Sequence, residues 1–300
     1  RLNEFDVLLV AGMDLLRLYV YFEPARAVPE HIRLIHLDQD PWQLGKNYPT
    51  EVGLIGDLQA GLCELDELLA AAMTPDATQA ARRRGAARRT AHKERRQELR
   101  QRAQQEADER PLTPLGFMSA LARVLPDDVA VIEEAVTTTN TYFERLGVLR
   151  NTSGYFAHRG WALGWGLGCT LGVKLAWPRR PVLALLGEGA AMYGIQGLWT
   201  AARYRIPVTF VVPNNAQYQI LKVGAKQLRL TTALRGEMQG CDLNQPEIDL
   251  VGLARSLGVE AHRVTEPDEL AERVAESLAG DMPRLFDVPI QRTAPGSLSY

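Results

Sequence analysis

The sequence predicts two α/β domains, each a doubly wound parallel sheet with helices on both faces. Three observations carry that prediction. Short apolar runs such as Pro181-Val-Leu-Ala-Leu-Leu end in glycine turns, as buried strands do. Segments of helical length lie between these runs, and alternation of the two element types is the pattern of a parallel sheet. The 300 residues are 46% hydrophobic with a net charge of −2, enough to bury a sizeable core.

Taken in order, Phe5-Asp-Val-Leu-Leu-Val-Ala-Gly reads as a buried strand running into a glycine turn. Residues 32–38 and 52–57 read as a second and a third strand, and 58–73 as a helix, so 1–77 form one α/β unit. Residues 82–110 hold eleven Lys and Arg against five Asp and Glu with almost no apolar stripe, and 78–112 are therefore a basic helical linker. Such a segment can contact nucleic acid through phosphates, but it lacks interleaved aromatics and a recognised fold. A linker or a subunit contact is the preferred reading. Pro111-Leu-Thr-Pro114 punctuates the start of the second domain, 113–300. Its strands are expected at 129–132, 182–186, 208–212 and 284–288, and its helices at 117–124, 193–204, 248–257 and 267–278. The last helix opens on Pro267 with an acidic first turn, a favourable start.

No run of 18 apolar residues occurs, nor a charged leader followed by an apolar core, so a soluble protein is expected. Cys63, Cys169 and Cys241 are scattered without metal-ligand spacing or a disulfide framework, which favours a reducing cytoplasm.

The chemistry concentrates at Gly187-Glu188-Gly189, which ends one strand, and at Val211-Val-Pro-Asn214-Asn215, which ends another. In an open parallel sheet both strand ends lie on the same carboxyl edge, so an acid and an amide 27 positions apart can converge on one cation. The glycines leave room for a diphosphate against the backbone, and the amide N–H groups of the following helix start would face its oxygens. Mg²⁺ suits this role, because it takes oxygen ligands from one or two protein groups and completes its shell with phosphate oxygens.

The run from Gly187 through Tyr218 resembles, in order and spacing, the diphosphate signature of thiamine diphosphate (ThDP) dependent enzymes. The likeness is to the 2-keto acid decarboxylase and acetohydroxyacid synthase superfamily, and within it to the benzoylformate decarboxylases. The resemblance implies that Glu188 is the metal-binding acid, Asn215 the metal-binding amide, and Gln217 the residue whose backbone carbonyl faces the metal. It assigns Gly187, Gly189, Ala190, Ala191, Asn215 and Tyr218 to cofactor contact. Glu188 departs from the family, which has Asp there. The added methylene moves the carboxylate by roughly 1.5 Å, so the metal shifts, the loop adjusts, or affinity falls. Ala190 departs more mildly, since many relatives carry Ser.

Glu133-Glu-Ala-Val-Thr137-Thr138-Thr139-Asn140 resembles the family's hydroxyl-rich turn, which implies that Thr137 and Thr138 hold phosphate; helix capping is the alternative. In Gly160-Trp-Ala-Leu163-Gly164-Trp-Gly166-Leu-Gly168, Leu163 is by resemblance the wedge that bends the cofactor. The alternative is a glycine-rich helix packed closely on a sheet. Ile220 and Leu221 face substrate by the same likeness, or are ordinary helix packing. His158, beside Arg159, is a candidate catalytic proton relay or a structurally satisfied histidine. No His occurs in Leu18-Tyr-Val-Tyr21, where decarboxylase relatives can present one.

The implied activity is ThDP- and Mg²⁺-dependent cleavage or formation of a carbon–carbon bond next to a carbonyl, most simply decarboxylation of a 2-keto acid with or without carboligation. An acetolactate synthase-like acyl transfer is the first alternative, and a catalytically silent homologue acting as an assembly partner is the second. Residues 1–77 resemble part of the superfamily's central domain, where a structural role is preferred over nucleotide binding because no G-x-G-x-x-G occurs. The resemblance covers only part of the usual subunit. It implies a pyrimidine-binding domain, in the same or a separate polypeptide, that supplies the activating glutamate, and a homodimer or homotetramer. The start at Arg1-Leu-Asn-Glu, just before a core strand, reads as a truncation.

Overall fold

The computed structural model describes residues 2–15, 27–139, 141–151, 153–157 and 162–292. The chain divides into two compact units, 1–90 and 91–300. In the first, β1 (Val7–Ala11), β2 (Arg33–Asp38) and β3 (Val52–Ile55) form a parallel sheet in that order. Helix α1 (Leu58–Ala72) follows, started by the Asp57 carboxylate, which accepts the Ala60 N–H at 2.9 Å.

The basic segment is one 31-residue helix, α2 (Pro75–Gln105), which runs through the boundary between the units. Its last turns are more than a solvated linker. Leu99 and Ala103 are buried in the core of the second unit, and Arg100 donates to the Leu146 carbonyl at 3.1 Å.

The second unit continues with α3 (Pro114–Ala122), β4 (Ala130–Glu134), α4 (Val136–Thr139), α5 (Tyr142–Leu146), β5 (Tyr155–Ala157), α6 (Trp165–Ala176) and β6 (Val182–Leu186). Then come α7 (Glu188–Ala191), α8 (Gly197–Arg203), β7 (Thr209–Asn214), α9 (Gln219–Gln227), α10 (Thr231–Leu234), α11 (Leu250–Ser256), β8 (Glu260–Arg263), α12 (Pro267–Ala279) and β9 (Arg284–Pro289). The six strands are all parallel, in the order β5-β4-β6-β7-β9-β8.

Period-two alternation divides the core into two layers. Val131, Leu183, Leu185 and Val211 face α3, α5 and α12, whereas Ala130, Ile132, Ala184 and Phe210 face α6, α8 and α11. Helices therefore cover both faces of this sheet, as the sequence predicts.

The helix expected over 193–204 is shorter. Residues 192–196 form a turn, and α8 begins at Gly197. A Cβ at Gly194 would come within 2.8 Å of the Gly164 carbonyl oxygen, so that turn is pressed against the segment entering α6. No helix among the described residues is long and apolar enough to cross a membrane.

Candidate functional site

From β4 the chain passes to β5 on one side, and from β6 it passes to β7 on the other. The carboxyl ends of β4 and β6 therefore flank a topological switch point, where open α/β sheets hold their ligands. Glu134 ends β4, Leu186 ends β6 with Gly187 following, and Asn214 ends β7 beside them with Asn215 following.

Two consecutive amides at the end of β7 face different ways. Asn214 turns inward, donating from Nδ2 to the buried Asp287 at 3.0 Å and accepting the Ala216 N–H at 3.0 Å. Ala216 takes a left-handed conformation, φ 51°, which reverses the chain and brings Gln217 back toward the preceding residue. There the Gln217 N–H is shared by Glu188 Oε1 at 3.0 Å and Asn215 Oδ1 at 3.1 Å. The acid and the amide have converged on one point.

Glu188 is 4% exposed and forms no ion pair with a basic side chain among the described residues. Burial pushes its carboxyl up to about 7, against hydrogen bonds from backbone amides that pull it down; the nearby Asp287 carboxylate pushes it further up. A buried acid without a cation must be protonated or find one. No group of three or more His, Cys, Asp or Glu side chains that could hold a metal exists among the described residues. One carboxylate and one amide oxygen fit a hard divalent cation that draws its other oxygens from elsewhere.

Gly189 is required for a reason that spacing does not reveal. A Cβ there would lie 2.6 Å from Tyr218 Cε1, so the glycine admits the Tyr218 ring against the start of α7. Ala190 is half-buried and Ala191 buried. The Gln217 carbonyl accepts the Gln219 N–H at 2.9 Å.

Thr138 is buried and Thr137 half-buried in α4. Thr139, to which no role is assigned by resemblance, carries the local structural bond, donating to Glu133 at 2.8 Å. Leu163 is 48% exposed just ahead of α6, Leu221 is 55% exposed on α9, and Ile220 is half-buried beside it. Helix α9, which carries Ile220 and Leu221, packs on α4, which carries the threonines. His158 and residues 18–21 lie outside the described residues.

Sequence reasoning gave no role to Glu134, which is 2% exposed and accepts the Gly164 and Gly166 N–H groups at 2.6 and 3.0 Å. A Cβ at Gly166 would fall 2.6 Å from its Oε2, so close glycine packing occurs in the same segment as the exposed Leu163. The signal was an acidic residue ending a buried strand 30 positions before a glycine-rich helix start.

The comparisons with known proteins point the same way. Residues 136–288 match the thiamine pyrophosphate enzyme C-terminal TPP binding domain, and residues 1–65 match the central domain of those enzymes. Benzoylformate decarboxylase of Pseudomonas aeruginosa is 31% identical over 294 residues, covering 98% of this chain and 50% of that protein. The acetolactate synthase large subunit of Parasynechococcus marenigrum is 25% identical, covering 87% of this chain and 40% of that one. The solved thiamine diphosphate-dependent 4-hydroxybenzoylformate decarboxylase of Rhodococcus jostii RHA1 superimposes with a TM-score of 0.73 at 26% identity, over 96% of this chain and 49% of its own. The chain thus spans about half the length of these relatives.

Proposed function

The chain belongs to the thiamine pyrophosphate enzymes, and from that premise we propose that it takes part in Mg²⁺- and ThDP-dependent cleavage or formation of a carbon–carbon bond next to a carbonyl, foremost the decarboxylation of a 2-keto acid. The observation that carries this reading is the convergence of Glu188 and Asn215 on one backbone amide, with the carboxylate buried and without a cationic partner among the described residues.

Glu188, Asn215 and the Gln217 carbonyl would hold the metal. The Thr137 and Thr138 hydroxyls and the backbone from Gly187 to Ala191 would hold the diphosphate. Leu163 would support the cofactor, while Ile220 and Leu221 offer an apolar wall to the acyl group. The chemistry supplied by bound ThDP is a carbon nucleophile for the substrate carbonyl and a sink for the electron pair of the broken bond. The chain's own share is to bind, orient and exclude water. His158 is the candidate for moving a proton, and a pyrimidine-binding domain from the same or another polypeptide would complete the site.

Acyl transfer to a second carbonyl is the neighbouring reading, supported by the likeness to an acetolactate synthase. A cofactor-free assembly partner is the reading that the Glu188 exchange favours. Titration of the full-length protein with ThDP at fixed Mg²⁺, followed by tryptophan fluorescence, separates them when run beside Glu188→Asp. Saturable, metal-dependent binding is expected in the native protein; binding in the Asp variant alone overturns the enzyme reading. Consumption of a second carbonyl compound in a 2-keto acid screen then divides carboligase and synthase from simple decarboxylase.

A further inference from the structure

Asp242 lies opposite Gln217, and the residues around it grip the metal loop. The segment 241–243 lies antiparallel to 216–218: the Tyr218 N–H donates to the Cys241 carbonyl at 2.9 Å and the Leu243 N–H to the Ala216 carbonyl at 2.8 Å. Opposite Gln217, the Asp242 carboxylate Oδ1 accepts from Lys222 Nζ at 2.7 Å and from Arg292 Nη2 at 2.5 Å.

Both cations then reach the loop. Lys222 Nζ donates to Gln217 Oε1 at 2.9 Å, and Arg292 Nη2 donates to the Ala216 carbonyl at 3.2 Å. Gln217 Nε2 returns a bond to the Arg292 backbone carbonyl. One carboxylate thereby ties α9, the loop after β7 and the segment after β9 into a clasp. The enclosed Ala216 holds a positive φ, a conformation that persists in a non-glycine residue when its surroundings over-determine it. Through Ala216, the clasp fixes the direction in which Asn215 and Gln217 present their oxygens.

We propose that Asp242 is a positioning residue for the metal loop: by anchoring Lys222 and Arg292 it holds Asn215-Ala216-Gln217 in the geometry that binds the metal diphosphate. This inference rests on the functional reading above. Asp242 and Arg292 have side-chain exposures of 48% and 44%, and Lys222 of 20%, so the clasp is partly screened by salt.

The test compares native protein, Asp242→Asn and Asp242→Glu, all in the full chain. Two readouts are taken: Mg²⁺-dependent ThDP binding by tryptophan fluorescence, and hydrogen exchange of the backbone over 215–222. The Asn variant should bind ThDP about tenfold more weakly and exchange faster over 215–222, with the exchange of β6 and β9 unchanged; the Glu variant should restore both. Binding within twofold of native, or unchanged exchange over 215–222, overturns the inference. If the native protein binds no ThDP, the functional reading fails by itself, while faster exchange in the Asn variant still upholds the clasp and unchanged exchange still removes it.

Discussion

Strands β6 and β3 have similar sequences, Val182-Leu-Ala-Leu-Leu and Val52-Gly-Leu-Ile, and opposite environments. Every residue of β6 is buried, and every residue of β3 is exposed. In the second unit β6 lies between β4 and β7, with helices on both faces of the sheet. In the first unit β3 is, among the described residues, an edge strand paired only with β2, and α1 buries none of its residues despite carrying Leu62, Leu68 and Leu69. Apolarity in a strand states a capacity for burial; layers on both faces realise it. Most of the buried apolar side chains among the described residues therefore lie in the second unit, where the candidate site also stands.

The largest expected effect tests that contrast directly. Phe210→Ala in β7, fully buried, should lower stability by about 3 to 5 kcal/mol in urea denaturation, whereas Leu54→Ala in β3 should cost less than about 1 kcal/mol. Equal losses would break the comparison.

A second test concerns charge in the buried unit. Burial in the fold pushes the Glu188 carboxyl up to about 7 from the ordinary 4.5, so folding strengthens its hold on a proton. The stability contributed by that proton is complete below pH 4.5 and is lost as pH rises through 7, about 3 kcal/mol in all. In metal-free protein, the Tm difference between native and Glu188→Gln should move in that direction across the window. A flat difference would mean the carboxylate is solvated or already paired.

Glu134→Ala should cost about 2 kcal/mol, because it leaves the Gly164 and Gly166 N–H groups without their acceptor at the start of α6. Hydrogen exchange should then rise at 164–170 and not in β7. The smallest effect belongs to the first unit. Arg33 makes a forked pair with Glu51 at 2.7 to 3.0 Å, but both side chains are well exposed, so Arg33→Ala should leave the denaturation midpoint unmoved within error. A clear shift would show that the exposed sheet is held more firmly than its burial indicates.

The strands ending at Asp38, Leu186 and Asn214 were legible because apolar runs stopped by Gly, Asn or Asp have few other readings. The edge strands β5 and β8 were not read. Tyr155–Ala157 is three residues long, and Glu260–Arg263 alternates only weakly, with Ala261 as its sole buried residue. Gly187, Glu188 and Asn215 were legible as a spaced motif. Glu134, Asp242 and Arg292 were not, since nothing local distinguishes a charged side chain that clamps a helix start or a loop from one in solvent.

What the sequence by itself determined is the two α/β units, the four interior strands of the larger sheet, and the acid and amide spaced 27 positions apart. These follow from periodicity and from residue types that tolerate few alternatives. Only the tertiary structure decided how the Asn214 and Asn215 side chains turn to different partners, why Gly189 must lack a Cβ, and which of two similar strands is buried. Those outcomes depend on the turn at Ala216, the Tyr218 ring and the helical layers on each sheet, contacts between residues far apart in the chain that no local pattern encodes.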